Sequence, residues 1–202
     1  MTLSGIDSAK IAKCAEEINA NASKMSMLIS DMLYMSRLDA DINNEELQLV
    51  DLGKVCREIC EEISISADMS DIQIKFEGSA FAKCYPKMMY TAITNLVSNA
   101  VKYGKKGGSV WVKAGETDSD IYIEVKDNGI GISEENQDRV FERFFKVDTA
   151  RTGSDEVSTG LGLAIVKHII VNIHKGVISL ESVLGEGSVF KIVLPKENEG
   201  KI

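Results

Sequence analysis

The sequence predicts an α+β fold: a two-layer sandwich of a mostly antiparallel sheet with helices on one face, preceded by a long N-terminal helix. Three observations predict it. An apolar seam with helical period runs from Ile11 to Leu38. After it, short strand-like and helix-like segments interleave. Adjacent strand-like segments, 109–114 with 120–126 and 177–182 with 188–194, are joined by connections too short for parallel crossovers.

The seam reads Ile11, Ala15, Ile18, Ala22, Met25, Ile29 and Met32, in alternating steps of four and three, and continues through Met35 and Leu38. Such a helix cannot bury its own stripe, so it needs another helix lengthwise, a second copy or a different one; packing only on the following domain is the weaker alternative. The polar run Asp39–Asn44 ends it and divides the chain into 1–44 and 45–202. Residues 47–52 alternate like a strand, and Asp51 is placed to cap a helix through Val55, Ile59 and Ile63. Strands follow at 72–76 and 81–84, then a helix from Pro86 to Lys102 with proline in its first turn. After the strands at 109–114 and 120–126 come a helix at 133–141, an irregular polar stretch at 147–158, a helix at 161–173 and a closing hairpin through Gly185-Glu186-Gly187.

With 23 Lys and Arg against 31 Asp and Glu, the 202-residue chain has a net charge of -8, which argues against general attraction to nucleic acid or anionic lipid. An anionic ligand must be held by local chemistry. No run reaches the roughly 20 apolar residues of a membrane span, and the first residues lack a secretory pattern. Cys14, Cys56, Cys60 and Cys84 form no C-x-x-C pair and lie far from His168 and His174, so they read as reduced thiols.

On the helix from Pro86, the residues Met89, Ile93, Leu96, Val97, Ala100 and Val101 form an apolar face and leave Asn95, Asn99 and Lys102 stacked on another. Amide oxygens suit a hard cation such as Mg²⁺, and lysine offers a point charge to phosphate; a solvated polar face explains the stripe as well. Asp127-Asn128-Gly129-Ile130-Gly131 follows a strand, where a carboxylate can accept from a purine amino group, although a plain strand-to-helix turn looks the same. Thr159-Gly160-Leu161-Gly162-Leu163 opens a helix with unpaired N–H groups suited to phosphate.

Order and spacing add what each motif lacks alone. Asn95-Leu-Val-Ser-Asn99-Ala-Val-Lys102-Tyr103, Asp127-Asn-Gly-Ile-Gly131, Phe141-Glu-Arg-Phe-Phe145 and Gly160-Leu161-Gly162-Leu163 together resemble the N box, first glycine box, F box and second glycine box of sensor histidine kinases. Met32-Leu-Tyr-Met-Ser-Arg-Leu-Asp39 is similar to the end of the second helix of that family's dimerisation and phosphotransfer hairpin, so the likeness spans nearly the whole chain. Phe145-Lys146-Val-Asp-Thr-Ala-Arg looks most like the phosphate-regulon type.

The resemblance implies the Bergerat, or GHKL, ATP-binding fold, with ATP and Mg²⁺ as cofactors. It places Mg²⁺ on Asn99 with Asn95 nearby, Lys102 on the phosphates and Tyr103 along the pocket. Asp127 would bind the adenine amino group, and Gly129 and Gly131 would leave space for the base. Residues 147–158 would form a lid hinged at Gly160 and Gly162, with Leu161 and Leu163 in the same motif. Arg143 and Lys146 are candidate phosphate contacts, with a solvated charge at the lid's edge equally in view; Lys146 replaces a commoner arginine.

The implied partners are a histidine-bearing hairpin helix, a response regulator and a second copy paired through the N-terminal helix, in a cytoplasmic setting whose parent sensor has its membrane anchoring left open. Related gyrase, chaperone and mismatch-repair ATPases carry a water-activating glutamate where this chain has Asn95, which favours transfer over hydrolysis. His168 and His174 lie in or beside the helix after the second glycine box and read as structural. The expectation is therefore a donor fragment, with natural sequence upstream of Met1, that binds Mg-ATP without phosphorylating itself. A hydrolytic ATPase and a nucleotide-gated interaction module are the alternatives.

Overall fold

The structure, a computed structural model, describes residues 8–41, 46–147 and 159–196. Helix α1 spans Ser8–Asp41; it ends inside the expected boundary, and residues 42–45 lie outside the described residues. Strand β1 (Gln48–Asp51) leads into α2 (Leu52–Met69), where the Asp51 carboxylate accepts the Lys54 N–H at 3.0 Å, the expected cap. Then come β2 (Gln73–Gly78), β3 (Phe81–Cys84) and α3 (Pro86–Lys102), which starts on its proline as predicted.

Strands β4 (Ser109–Glu116) and β5 (Asp120–Asp127) form a hairpin. The helix expected over 133–141 is instead a single turn, α4 (Glu134–Gln137), followed by a 3₁₀ turn at Arg139–Phe141. Ser133-Glu-Glu-Asn-Gln has no apolar stripe to bury, and Gln137 turns back to donate to the Ile132 and Ser182 carbonyls at 3.1 and 2.9 Å. Helix α5 (Gly162–Lys167) widens into a π-helical stretch at His168–Ile173, and β6 (Val177–Val183) and β7 (Gly187–Pro195) close the described chain.

The main sheet has the order β2-β4-β5-β7-β6, and a separate antiparallel pair joins β1 to β3. Among the described strands only β2–β4 is parallel, because β3 and α3 supply a crossover long enough to reverse the chain. Alternation sets the layers. Val110, Val112 and Ala114 of β4 and Ile121, Ile123 and Val125 of β5 point into the core, while Trp111 and Lys113 point away. Met89, Ile93, Leu96 and Val97 of α3 and Ile165, Val166 and Ile169 of the α5 segment are buried in the same core.

His174 fastens the π stretch to the start of α3. Its Nε2 accepts the Tyr85 backbone N–H at 3.1 Å, so the ring proton sits on Nδ1, 2.8 Å from the Ile169 carbonyl. Burial lowers its pKa, in keeping with a neutral structural histidine. Burial likewise pushes Cys56, Cys60 and Cys84 up to about 12, 11 and 12, which leaves them as unreactive thiols.

Helix α1 has two unlike faces. Along the predicted seam Ile18 and Met25 are 66% and 63% exposed. The last two seam positions, Met35 and Leu38, pack on the core together with Leu28 and Tyr34 from beside the seam, and Asp31 lies in the same stretch. The seam thus stays uncovered from Ile11 to Met32 and is anchored at its C-terminal end.

Candidate functional site

Asp127 ends the inward row of β5 after Ile121, Ile123 and Val125, so the alternation that builds the core also buries this carboxylate. Its cross-strand partner is Ser188, which begins the inward row of β7 leading to Phe190 and Ile192. Burial raises the pKa of Asp127, opposed by backbone N–H bonds from Gly129 and Ser188 and by the charge of Lys105. The Gly129 N–H lies 2.8 Å from its Oδ1. Asp127 and Ser188 line a cavity of about 100 Å³ with Asn99, Tyr103, Gly131 and Lys146.

Both glycines after Asp127 are required by the packing of their own backbone. A Cβ on Gly129 would run into the Tyr103 carbonyl, and one on Gly131, at φ +64°, into the Val183 carbonyl. The loop is pressed between the end of α3 and the β6–β7 hairpin, where the Ile130 N–H meets the Tyr103 carbonyl at 3.1 Å and the Gly185 N–H meets the Ile130 carbonyl at 2.7 Å. The Ser182 hydroxyl accepts the Ile132 N–H at 2.8 Å and donates to the Gly187 carbonyl at 2.8 Å.

A cleft of about 570 Å³ adjoins this cavity and shares Asn99 and Tyr103 with it. The stacked face of α3 supplies Asn95, Asn99 and Lys102 to it, and Gly160, Gly162 and Leu163 form the facing wall. The Asn95 amide N–H donates to the Thr91 carbonyl at 2.9 Å, which turns its Oδ1 toward Gly162; a Cβ there would come within 2.6 Å of that oxygen. Leu161 is buried in the core beneath this wall. The base of the expected lid is tied by the Phe144 N–H to the Gly160 carbonyl at 2.9 Å, with Phe144 held at φ +64°. Residues 148–158 of that lid lie outside the described residues. Lys146 borders the enclosed cavity, whereas Arg143 is exposed and lines neither space.

Sequence reasoning missed Ser188 and Asp31, and it placed Thr159 only as the start of the glycine motif. Thr159, buried beside Gly160, donates its hydroxyl to Asp31 of α1 at 2.6 Å and accepts the Leu161 N–H at 3.2 Å. Only the pairing of β5 with β7 reveals Ser188. Among the described residues no cluster of His, Cys, Asp and Glu suits a metal, and no helix is long and apolar enough to cross a membrane.

Residues 84–198 match the family described as histidine kinase-, DNA gyrase B-, and HSP90-like ATPase. Over 188 residues the chain is 37% identical to the sensor-like histidine kinase SenX3 of Mycolicibacterium smegmatis, covering 92% of this chain and 48% of that protein. The chain thus spans about half the length of the curated relatives it matches. The solved mycobacterial sensor histidine kinase MprB aligns with a TM-score of 0.64 at 26% identity, covering 74% of this chain and 97% of that one. Histidine kinase ThkA, solved with the response regulator protein TrrA, aligns at 0.72 and 21% identity over 98% of this chain and 55% of that one, a likeness of fold. The chain therefore belongs to the family of histidine kinase-, DNA gyrase B- and HSP90-like ATPases, as a catalytic domain of the sensor histidine kinase kind.

Proposed function

We propose that the joined cavity and cleft bind Mg-ATP, and that the chain donates the γ-phosphoryl group to a histidine on a hairpin helix of its parent kinase, for relay to a response regulator. The observation that carries this is the pairing of a buried carboxylate, Asp127, at the closed end with two carboxamides and an ammonium on one helix face at the open end. Asp127 would accept from the adenine amino group, with its Oδ1 already steadied by Gly129. Asn99, with Asn95 beside it, would hold Mg²⁺, which neutralises phosphate charge. The donor set fits: Asn95 and Asn99 both line the cleft, and the Asn95 amide nitrogen is engaged by the Thr91 carbonyl, which turns its oxygen, the hard donor, toward the Gly162 wall of that cleft. Lys102 would contact the phosphates, Tyr103 and Gly131 would flank the base, and Lys146 would reach the nucleotide from the F box.

In the transfer the bond from the γ-phosphorus to its bridging oxygen breaks, a P–N bond to the imidazole forms, the imidazole N–H proton leaves and ADP departs. Asn95 cannot act as a general base toward water, which supports transfer over hydrolysis. Neither His168 nor His174 is on α1; the first sits in the π stretch and the second is engaged by Tyr85 and Ile169. Residues 1–44 are read as part of the dimerisation and phosphotransfer unit and 45–202 as the catalytic unit, with a second copy meeting the exposed α1 seam. The setting is cytoplasmic, and the F box sequence points to the phosphate-regulon type. Calorimetric titration tests the binding: ATP should bind with Mg²⁺, more weakly in EDTA, and GTP should bind poorly. Equal binding of GTP would contradict the role of Asp127.

A further inference from the structure

The family match begins at residue 84, yet the wall of the open cleft includes Asp31, far upstream on α1. Its carboxylate accepts the hydroxyl proton of Thr159 at 2.6 Å, and the same hydroxyl accepts the Leu161 N–H at 3.2 Å. Thr159 is 8% exposed, so this is a partly buried, charge-assisted bond of the stronger kind. On its other side the turn is held by the Phe144 N–H on the Gly160 carbonyl at 2.9 Å. Gly160 needs its positive φ of +74°, and Gly162 lies against the Asn95 oxygen, so a small drift of Thr159 would carry both glycines with it. One turn further along α1, the Tyr34 hydroxyl lies 3.3 Å from Thr91, the residue that holds the Asn95 amide through its carbonyl. Helix α1 therefore grips both walls of the cleft.

We propose that Asp31 is a positioning residue for the nucleotide site: acting through Thr159, it sets the turn Thr159-Gly160-Leu161-Gly162 against Asn95, so that a residue outside the matched domain completes the phosphate end. The inference rests on the reading that this cleft takes the phosphates of Mg-ATP. Asp31→Asn keeps an acceptor oxygen and gives up only the charge's share of the bond, so it should bind nucleotide more tightly than Asp31→Ala.

The test uses the whole chain, with Mg²⁺ and the non-hydrolysable analogue AMPPNP as one probe and adenosine as the other. Asp31→Ala and Thr159→Val are each expected to weaken Mg-AMPPNP by about tenfold. The double variant should be no weaker than either single one, because the two changes remove one bond. Adenosine affinity should not move, whereas a general loosening of the domain would lower both. Unchanged Mg-AMPPNP affinity in Asp31→Ala, additive losses, or equal losses for adenosine would each overturn the inference. Tighter binding by both Asp31→Ala and Asp31→Asn would also overturn it, and would make the carboxylate a repulsive gate. A wild-type chain that fails to bind Mg-AMPPNP would overturn the functional reading and this inference together.

Discussion

At the closed end of the cleft, each wall continues the core. Asp127 and Ser188 are the last inward positions of two paired strands, and the loop after Asp127 is clamped between the Tyr103 carbonyl and the β6–β7 hairpin. At the open end, the walls come from segments that meet only in the folded chain: one face of α3, the turn at Gly160 and the side of α1. The first end is rigid because moving it would break the sheet. The second is held by a few side-chain bonds, Asp31 to Thr159 and Asn95 to Thr91, that can give without unfolding anything. On the proposed reading, recognition of the base and handling of the phosphates fall at opposite ends of the site, and substitutions at the two ends should separate them experimentally.

The largest effect is expected for Asp127→Asn, which should lose about a hundredfold in ATP affinity, since a buried charged acceptor is removed. The same variant should melt at a higher temperature at neutral pH. The folded pKa of Asp127 is raised above its ordinary value of 3.8, so its contribution to stability is present below that value and lost as pH rises through the folded one. Asparagine has no charge to desolvate, and its thermal advantage should vanish on acidification below 3.8. Gly131→Ala should cost about 2 kcal/mol in denaturant unfolding, from a positive φ and the blocked approach to Val183. At the open end, Asn95→Ala should weaken Mg-ATP by about tenfold while leaving adenosine binding intact, since Asn95 lines the open cleft and not the enclosed cavity. An equal loss for adenosine would erase the distinction between the ends.

A smaller effect concerns the frame. The folded pKa of His174 is depressed by burial, so its contribution is complete above 6.5 and declines as pH falls below that value toward the folded one. Melting followed across that window should show a downward slope, and His174→Gln should flatten it.

The sequence was most legible where local chemistry decides the outcome. Helix α3 begins at Pro86 and ends at Lys102 as its proline and apolar spacing require, and the Asp51 cap is formed. Asp127 was recognisable at the end of an alternating strand. The reason for its glycines was not, because Tyr103 and Val183 reach them only through tertiary packing. Thr159 opens a legible glycine motif, but its partner Asp31 lies 128 positions away and no local pattern marks it. The α1 stripe is legible as a period, but not where it divides: Met35 and Leu38 pack on the core with Leu28 and Tyr34, while the earlier positions stay exposed, and the same run of methionines and leucines supplies both. The expected helix over 133–141 failed because polar spacing alone gives no face to bury.

The most direct test of the kinase reading supplies what this chain would act on. The chain is incubated with γ-labelled ATP, Mg²⁺ and a separately made histidine-bearing hairpin from the same parent kinase. Label should appear on the hairpin in an acid-labile, alkali-stable form, and should be abolished by Asn99→Ala. Steady release of free phosphate near one per second with an unlabelled hairpin would contradict transfer and make the chain a hydrolytic ATPase.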